Sequence, residues 1–454
     1  MSDPIAPLDA FPPHSVDEWR AKVPADLGRR DRDGLFVRPL YTEEDLPSEL
    51  PDERPAPAWE IWERGVEWTG DGCDPLAELP DDMEAAYDDM VAYCDGEGRE
   101  ITISTLAYHD AGAHVVEELA CFLATASNYV RAAEQRGLTK AAFARHCILR
   151  LAVGRDIFRE IAKLRAARLL WTRLTGAPGF IHAVCSDRTL TRVDPWNNMM
   201  RVTTQAFAAA SAGVEAITPN AYDDAGAEPG ELGQRVARNT LLVLRHESGL
   251  GGGLDPAHGS FYIESLTRDI ADAAWSRFKA MEAADTFEEQ LRDGSLLEAI
   301  DHEWNHGALP NLRTRQQPVT GVSEFPATEP PLPKPKADAV ERLPIRHDAD
   351  PFEAVRDRAA ALPRTPTLLI RKLGTAREHG AAFAFARNLF LAGGFEIIED
   401  GDARVACVCG PAPEPAVKAL EDGGVRRVIV AESLMGKAFD AAALLDALLD
   451  EVEA

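Results

Sequence analysis

The chain has 454 residues, 45% of them hydrophobic, with Asp and Glu outnumbering Lys and Arg by 75 to 48 for a formal charge of −27. That length suits two or three domains with sizeable cores. The acidic residues are spread along the chain and no basic cluster interrupts them, which argues against a nucleic-acid-binding surface.

The N-terminus, MSDPIAPLDAFPPHS, has neither a basic n-region nor an apolar core and does not read as a signal peptide. No run of about 18 apolar residues suggests a membrane span. The seven cysteines contain no CxxC pair and read as reduced thiols, so the expectation is a cytoplasmic protein. Cys407 and Cys409 lie two apart in VACVCG, on one face of a buried strand, where packing explains them better than metal binding.

Residues 1–45 carry many prolines and charges and one helix-like piece, SVDEWRAKV, and read as an extended arm that needs a partner to lie against. Residues 46–318 form the main domain. From Ala113 the residues Val115, Val116, Leu119, Phe122, Leu123, Ala126 and Tyr129 recur at helical spacing, and a second long helix is expected from about Ala141 to Leu174. The strand-like runs ITIST (101–105), IHAVCS (181–186) and EAITPN (215–220) alternate with helices, as in a (β/α) barrel.

Residues 319–363 include SEFPATEPPLPKPKADAVERLPIRHDADPFE, whose prolines predict an extended belt. Residues 364–454 predict a doubly wound, flavodoxin-like domain. Its strands are TLLI (367–370), EIIE (396–399), VACVC (405–409) and RVIVA (427–431), with helices near 377–392, 413–421 and 439–452. The connection EDGDAR is too short for a full second helix.

Two motifs resemble reactive sites without the right surroundings. HEWNH (302–306) has zinc-site spacing, but Gly307 and Pro310 are expected to end its helix, and the next acidic residue with reach, Glu324, lies in the belt. GLGGGL (249–254) follows no strand and precedes no Lys-Ser/Thr, so it reads as a flexible connection. No metal site is expected.

The run CSDRTLTRVDPWNNMMRVTTQAFAA (185–209) is more informative. Asp194 to Asn197 predict a turn opening a helix, with Asp194 as N-cap. This run resembles the methylmalonyl-CoA mutase family, in which a similar D-P-[WY]-x-N-x-x-R-T-T segment follows a barrel strand. LFVRPLYTEEDLP (35–47), AYHDAGAHVVEELA (107–120), EIAKLRAARLLW (160–171), RVARNTLLVLRHES (235–248) and DPAHGSFYIESLT (255–267) agree in the same order. The resemblance covers most of residues 35–325. It implies a TIM-type barrel followed by a cobalamin domain, and adenosylcobalamin-dependent interconversion of succinyl-CoA and methylmalonyl-CoA by a radical route.

Two departures from the family pattern redirect this expectation. Between WEIWERG (59–65) and ITIST the family supplies several strand–helix units, whereas here a short acidic stretch, DPLAELPDDMEAAYDDM, stands in their place, so the barrel is expected to be truncated or degenerate. Cobalamin-binding members also carry D-x-H-x-x-G in the first loop of the last domain. Counting from Leu373 and Gly374, those two places hold Ala376 and Glu378, and His379 falls one residue late.

The combination resembles the small, non-cobalamin-binding subunit of heterodimeric mutases. It implies a large catalytic subunit as partner, adenosylcobalamin held by that partner, and acyl-CoA met only through the complex. No catalytic residue is expected. His109 is the weak candidate, because in catalytic members the histidine of the longer YHxxEAGA spelling contacts the substrate carbonyl; its alternative is a packed or interfacial histidine. Two other functions are compatible with the sequence: a minimal acyl-CoA mutase using a separate cobalamin protein, and a divergent binding or assembly protein.

Overall fold

The computed structural model describes residues 15–23, 27–31, 33–48, 55–56, 58–64, 72–96, 98–227, 230–335 and 343–453. Two parallel sheets organise them into an α/β protein. The first sheet contains β1 (Glu60–Ile61), β2 (Ile101–Ser104), β3 (Cys147–Val153), β4 (Phe180–Cys185) and β5 (Ala216–Thr218) in the spatial order β1-β5-β4-β3-β2. Helices α1 (Val115–Gln135), α2 (Ile157–Thr175), α3 (Trp196–Ser211) and α4 (Glu231–Leu242) follow β2 to β5 in turn, and α5 (Phe261–Ala284) packs across α1 and α2.

The two faces of this sheet differ because side chains alternate along each strand. Ile101, Ile103, Leu149, Leu151, Val153, Ile181, Ala183 and Ile217 join the large core under the helices. On the opposite face Arg150 Nε donates to His182 Nδ1 (3.3 Å), and His182 Nε2 lies 2.7 Å from Thr218 Oγ1, which donates to the Trp62 carbonyl. Burial, then Arg150 and Arg64, push the His182 pKa well below its usual value. The ring is therefore neutral, accepts at Nδ1 and donates from Nε2.

The chain passes from one edge of the sheet to the other between β1 and β2. Glu60 and Ile61 pair with Ala216 and Ile217 at one edge, while Cys73 bridges Ile101 at the opposite edge. Buried Asp74 anchors this second contact: it accepts from the Tyr129 hydroxyl and from the Ala77 N–H (3.3 Å), and burial outweighs these bonds to lift its pKa to about 7.

The second sheet contains β6 (Thr367–Lys372), β7 (Glu396–Ile398), β8 (Val405–Cys409) and β9 (Arg427–Val430) in the order β7-β6-β8-β9. Helices α6 (Asp350–Ala361), α7 (Ala376–Ala392), α8 (Glu414–Asp422) and α9 (Ala441–Glu453) accompany it. Phe352, Leu368, Phe390, Val405 and Leu445 build its core, to which Trp304 and Leu312 also belong.

Several expectations need correction. The helix expected from Ala141 to Leu174 is interrupted by β3, a seven-residue strand buried throughout, because CILRLAV alternates Leu with Arg150 and Ala152 on two buried faces. The belt ends in α6, whose Asp350–Pro351 start makes proline a first-turn helix residue rather than a breaker.

The helix through HEWNH does not stop at Gly307; it widens into a π turn over Trp304–Ala308 and continues as Leu309–Arg313. Gly253–Leu254 of the glycine run pairs with Pro55–Ala56. At the DPWNN turn the N-cap is Pro195, while Asp194 takes a left-handed conformation with φ 52°.

Residues 1–14 of the arm lie outside the described residues. Its residues 27–31 and 33–45 rest on their own chain: the strand pair Arg29–Arg30 and Phe36–Val37 holds Asp31 and Asp33 against Arg159, Asp33 caps Val116 N–H (3.0 Å), and Tyr41 meets Tyr262 at 5.0 Å.

Candidate functional site at the strand ends

The carboxyl ends of β2 to β4 open into a polar cavity of about 500 Å³, the place where (β/α) proteins put their chemistry. His109 and Glu118 line it from below, Arg155 and Glu160 from the start of α2, and Arg188 from the loop after β4. The arm contributes Asp31 and Asp33, and the belt contributes Asp348. Arg155 Nη2 lies 3.1 Å from Asp348, and the Asp348 N–H donates to the Arg188 carbonyl at 2.9 Å, so arm and belt both cross the mouth.

The structure places His109 in this site but seals it in. The residue is 2% exposed, with Nδ1 3.3 Å from Glu118 Oε2 and Nε2 2.7 Å from Ser186 Oγ. Burial, then Arg188, lower its pKa despite the Glu118 hydrogen bond. Burial would raise the Glu118 carboxyl, yet Lys163, His109 and Thr105 hold it at about 2. The neutral imidazole therefore donates from Nδ1 to a carboxylate and accepts the Ser186 hydroxyl at Nε2.

Ser186, His109 and Glu118 follow the order of a nucleophilic triad. Ser186, however, is buried and does not line the cavity. Lys163, buried as completely, bridges Glu118 (3.1 Å) and Glu160 (2.7 Å). Together these groups form a closed polar network that fixes α1 and α2 to the strand ends.

Sequence reasoning missed Glu118, Lys163 and Ser186. The signal was present: Glu117 and Glu118 interrupt the apolar stripe of α1, and both are buried because Arg277 and Lys163 meet them. Charges inside a buried stripe mark a paired network.

Gly374, Ala376, Glu378 and His379 belong to the other sheet, Gly374 in the loop after β6 and the other three in the first turn of α7. Gly374 turns at φ 73°. The Glu378 carboxylate folds back to accept from Thr375 N–H (2.7 Å) and Thr375 Oγ1 (2.8 Å), which caps α7. His379 sits half-buried in the first turn of α7.

The β6–β8 ladder runs one bond past its last pair, Leu373 N–H donating to the Cys409 carbonyl at 2.8 Å, and Gly410 then passes so close that a Cβ on it (φ 122°) would strike the Leu373 carbonyl. Gly410 N–H is taken by Glu432 at 2.6 Å. At the zinc-like motif, the His302 and His306 rings stack at 4.3 Å. Glu303 lies half-buried, its pKa raised to about 7 by burial and by Glu117.

These features define an α/β protein with two parallel sheets, one with its first strand beside its last and a polar site at its strand ends, the other with its strand order reversing between β6 and β8. Residues 78–361 match the family model of methylmalonyl-CoA mutase, and the chain belongs to that family.

It is 37% identical to the methylmalonyl-CoA mutase small subunit of Streptomyces virginiae, over 78% of this chain and 64% of that one. It is 34% identical to the small subunit of Propionibacterium freudenreichii subsp. shermanii, over 72% and 55%. The methylmalonyl-CoA mutase large subunit of Streptomyces virginiae is 36% identical over 49% of this chain and 32% of that one. The chain thus spans less than two thirds of the length of the small subunits it matches. Among the described residues no helix is long and apolar enough to cross a membrane.

Proposed function

We propose that the chain is a subunit of a heteromeric, adenosylcobalamin-dependent methylmalonyl-CoA mutase, itself without a cofactor, supporting a large catalytic subunit. The observation that carries this reading is the state of the β6–α7 loop. A lower ligand to cobalt needs a histidine whose other ring nitrogen is held by an acid, and an open crevice where the strand order reverses. Ala376 offers no acid, Glu378 is spent on the helix cap, and the β6 and β8 loops touch at Leu373 and Gly410. At the two family positions the residues present do not fit cobalamin; His379, one place late, keeps a buried Nδ1 without a hydrogen-bond partner among the described residues, and its substitution is part of the test below.

The first sheet supports the same reading. Pairing of β1 with β5 sets the first strand beside the last, as in a closing barrel, while residues 62–72 leave no room for the strand–helix units that would complete eight. We therefore read residues 46–318 as a TIM-type barrel shortened between its first strand and β2, residues 319–363 as the strap, and residues 364–454 as a flavodoxin-like domain that keeps the order 2-1-3-4 of its first four strands. His109 serves this framework as a packed residue.

Co-expression with the large mutase subunit of the same organism tests the reading. A stable heteromer on size exclusion, with mutase activity that falls when this chain is omitted, supports it. A large subunit that is fully active and stable alone, ignoring this chain, refutes it and leaves the divergent binding protein as the better account.

A further inference from the structure

Helices on the outside of a (β/α) unit normally turn polar residues to water. Here α3 exposes Trp196 (57%), Met200 (60%) and Phe207 (39%), which follow one another at helical spacing along a single face. The neighbouring helix α4 exposes Leu232, and Val243 is exposed at the start of the π turn that continues it, with half-buried Val236 between them on the same spacing. The two helices pack side by side, and Trp196 is held in place by stacking on Tyr222 at 4.8 Å. An apolar stripe of this length, spread over two adjacent helices, marks a protein contact.

Its rim carries arginines although the chain has a charge of −27, with Glu231 the one acid on α4. Arg235 and Arg238 are exposed on α4, and Arg245 follows in the next turn, half-buried over the Trp59 ring at 5.9 Å. Among these only Arg238 has an ion pair among the described residues, with Glu63 at 3.1 Å. An isologous contact between two copies would join two chains of strongly negative charge, and would set these arginines against one another wherever the two-fold axis passes near them.

We infer that the α3–α4 face docks a different protein chain, one that brings an apolar surface rimmed with carboxylates. Resting on the mutase reading above, that chain is the large subunit. The apolar stripe supplies the buried centre of the contact, and the arginines supply its register and rate of encounter.

The test uses the full chain and the large mutase subunit, with dissociation constants measured by interferometry and self-association by sedimentation. The double variants Met200→Glu/Phe207→Glu and Arg235→Glu/Arg238→Glu change exposed positions only; Lys418→Glu, exposed on α8, is the control. Each double variant should weaken pairing at least tenfold with an unchanged melting curve, the arginine pair losing its effect at high salt, while the control pairs normally.

Wild-type pairing that both variants retain overturns the docking face and leaves the subunit reading standing. Failure of the wild-type chain to pair overturns both. A homodimer dissolved by the same substitutions shows a self-interface and overturns the proposed occupant.

Discussion

In the first sheet β2 to β5 lie in consecutive order with β1 beside β5, and the carboxyl ends of β2 to β4 open on a cavity of about 500 Å³ braced by buried ion pairs. In the second the order reverses between β6 and β8, yet the loops at that point are pressed together. Fold rules predict a ligand at both places. The difference shows that topology fixes where a site can be, and that side chains decide whether one is there. The first sheet retains space but commits His109, Glu118 and Lys163 to one another; the second retains the loop but gives its atoms to a helix cap and a loop-to-loop contact.

The largest expected effect breaks the first half of this comparison. Lys163→Ala leaves Glu118 and Glu160 buried without their shared cation, and should cost about 3–5 kcal/mol in a denaturant titration. Lys163→Met should cost no less, because the loss is of charge rather than volume.

Gly410→Ala attacks the second half. The residue sits at φ 122° with its missing Cβ aimed at the Leu373 carbonyl, so the substitution should destabilise the second sheet by about 1–3 kcal/mol. Hydrogen exchange should show the loosening confined to β6, β8 and their loops.

A smaller effect appears in the pH dependence of stability. Asp74 keeps its proton to about pH 7 in the folded chain because burial raises it, whereas the unfolded chain releases it near pH 3.9. The folded state then holds more protons between those values, so stability falls as pH rises through the window. Glu118, held at about 2, acts in the opposite direction: its stabilisation is full above about pH 4.5 and is lost as the pH falls toward 2. Burial also raises Asp110 to about 8 and Glu303 to about 7, so melting temperatures should decline from pH 5 to pH 8, and Asp74→Asn, which mimics the protonated acid, should lessen that decline without abolishing it.

Much of the second sheet was legible in the sequence because each strand is a short apolar run between helices of ordinary length, and the short EDGDAR connection was read correctly. β3 was not, since Arg150 and Ala152 on its second buried face gave CILRLAV no strand-like alternation of apolar and polar residues, and the flanking helical pattern absorbed it. β1 is two residues long and exists only by pairing with β5, which no local pattern reveals. His109 was found from a motif, while its partners Glu118, Lys163 and Ser186 lie on other elements and meet it only in the folded chain. The arm escaped for a similar reason: Asp31 and Asp33 look like loop charges until Arg159 is beside them.

The central claim is that this chain joins a mutase without carrying its cofactor, and cobalamin stoichiometry of the purified heteromer tests it most directly. The account predicts one adenosylcobalamin per pair of chains, none retained by this chain alone at micromolar concentration, and an absorption spectrum unchanged by His379→Ala. Two cobalamins per pair, or a base-off spectrum of the isolated chain that His379→Ala abolishes, would contradict it.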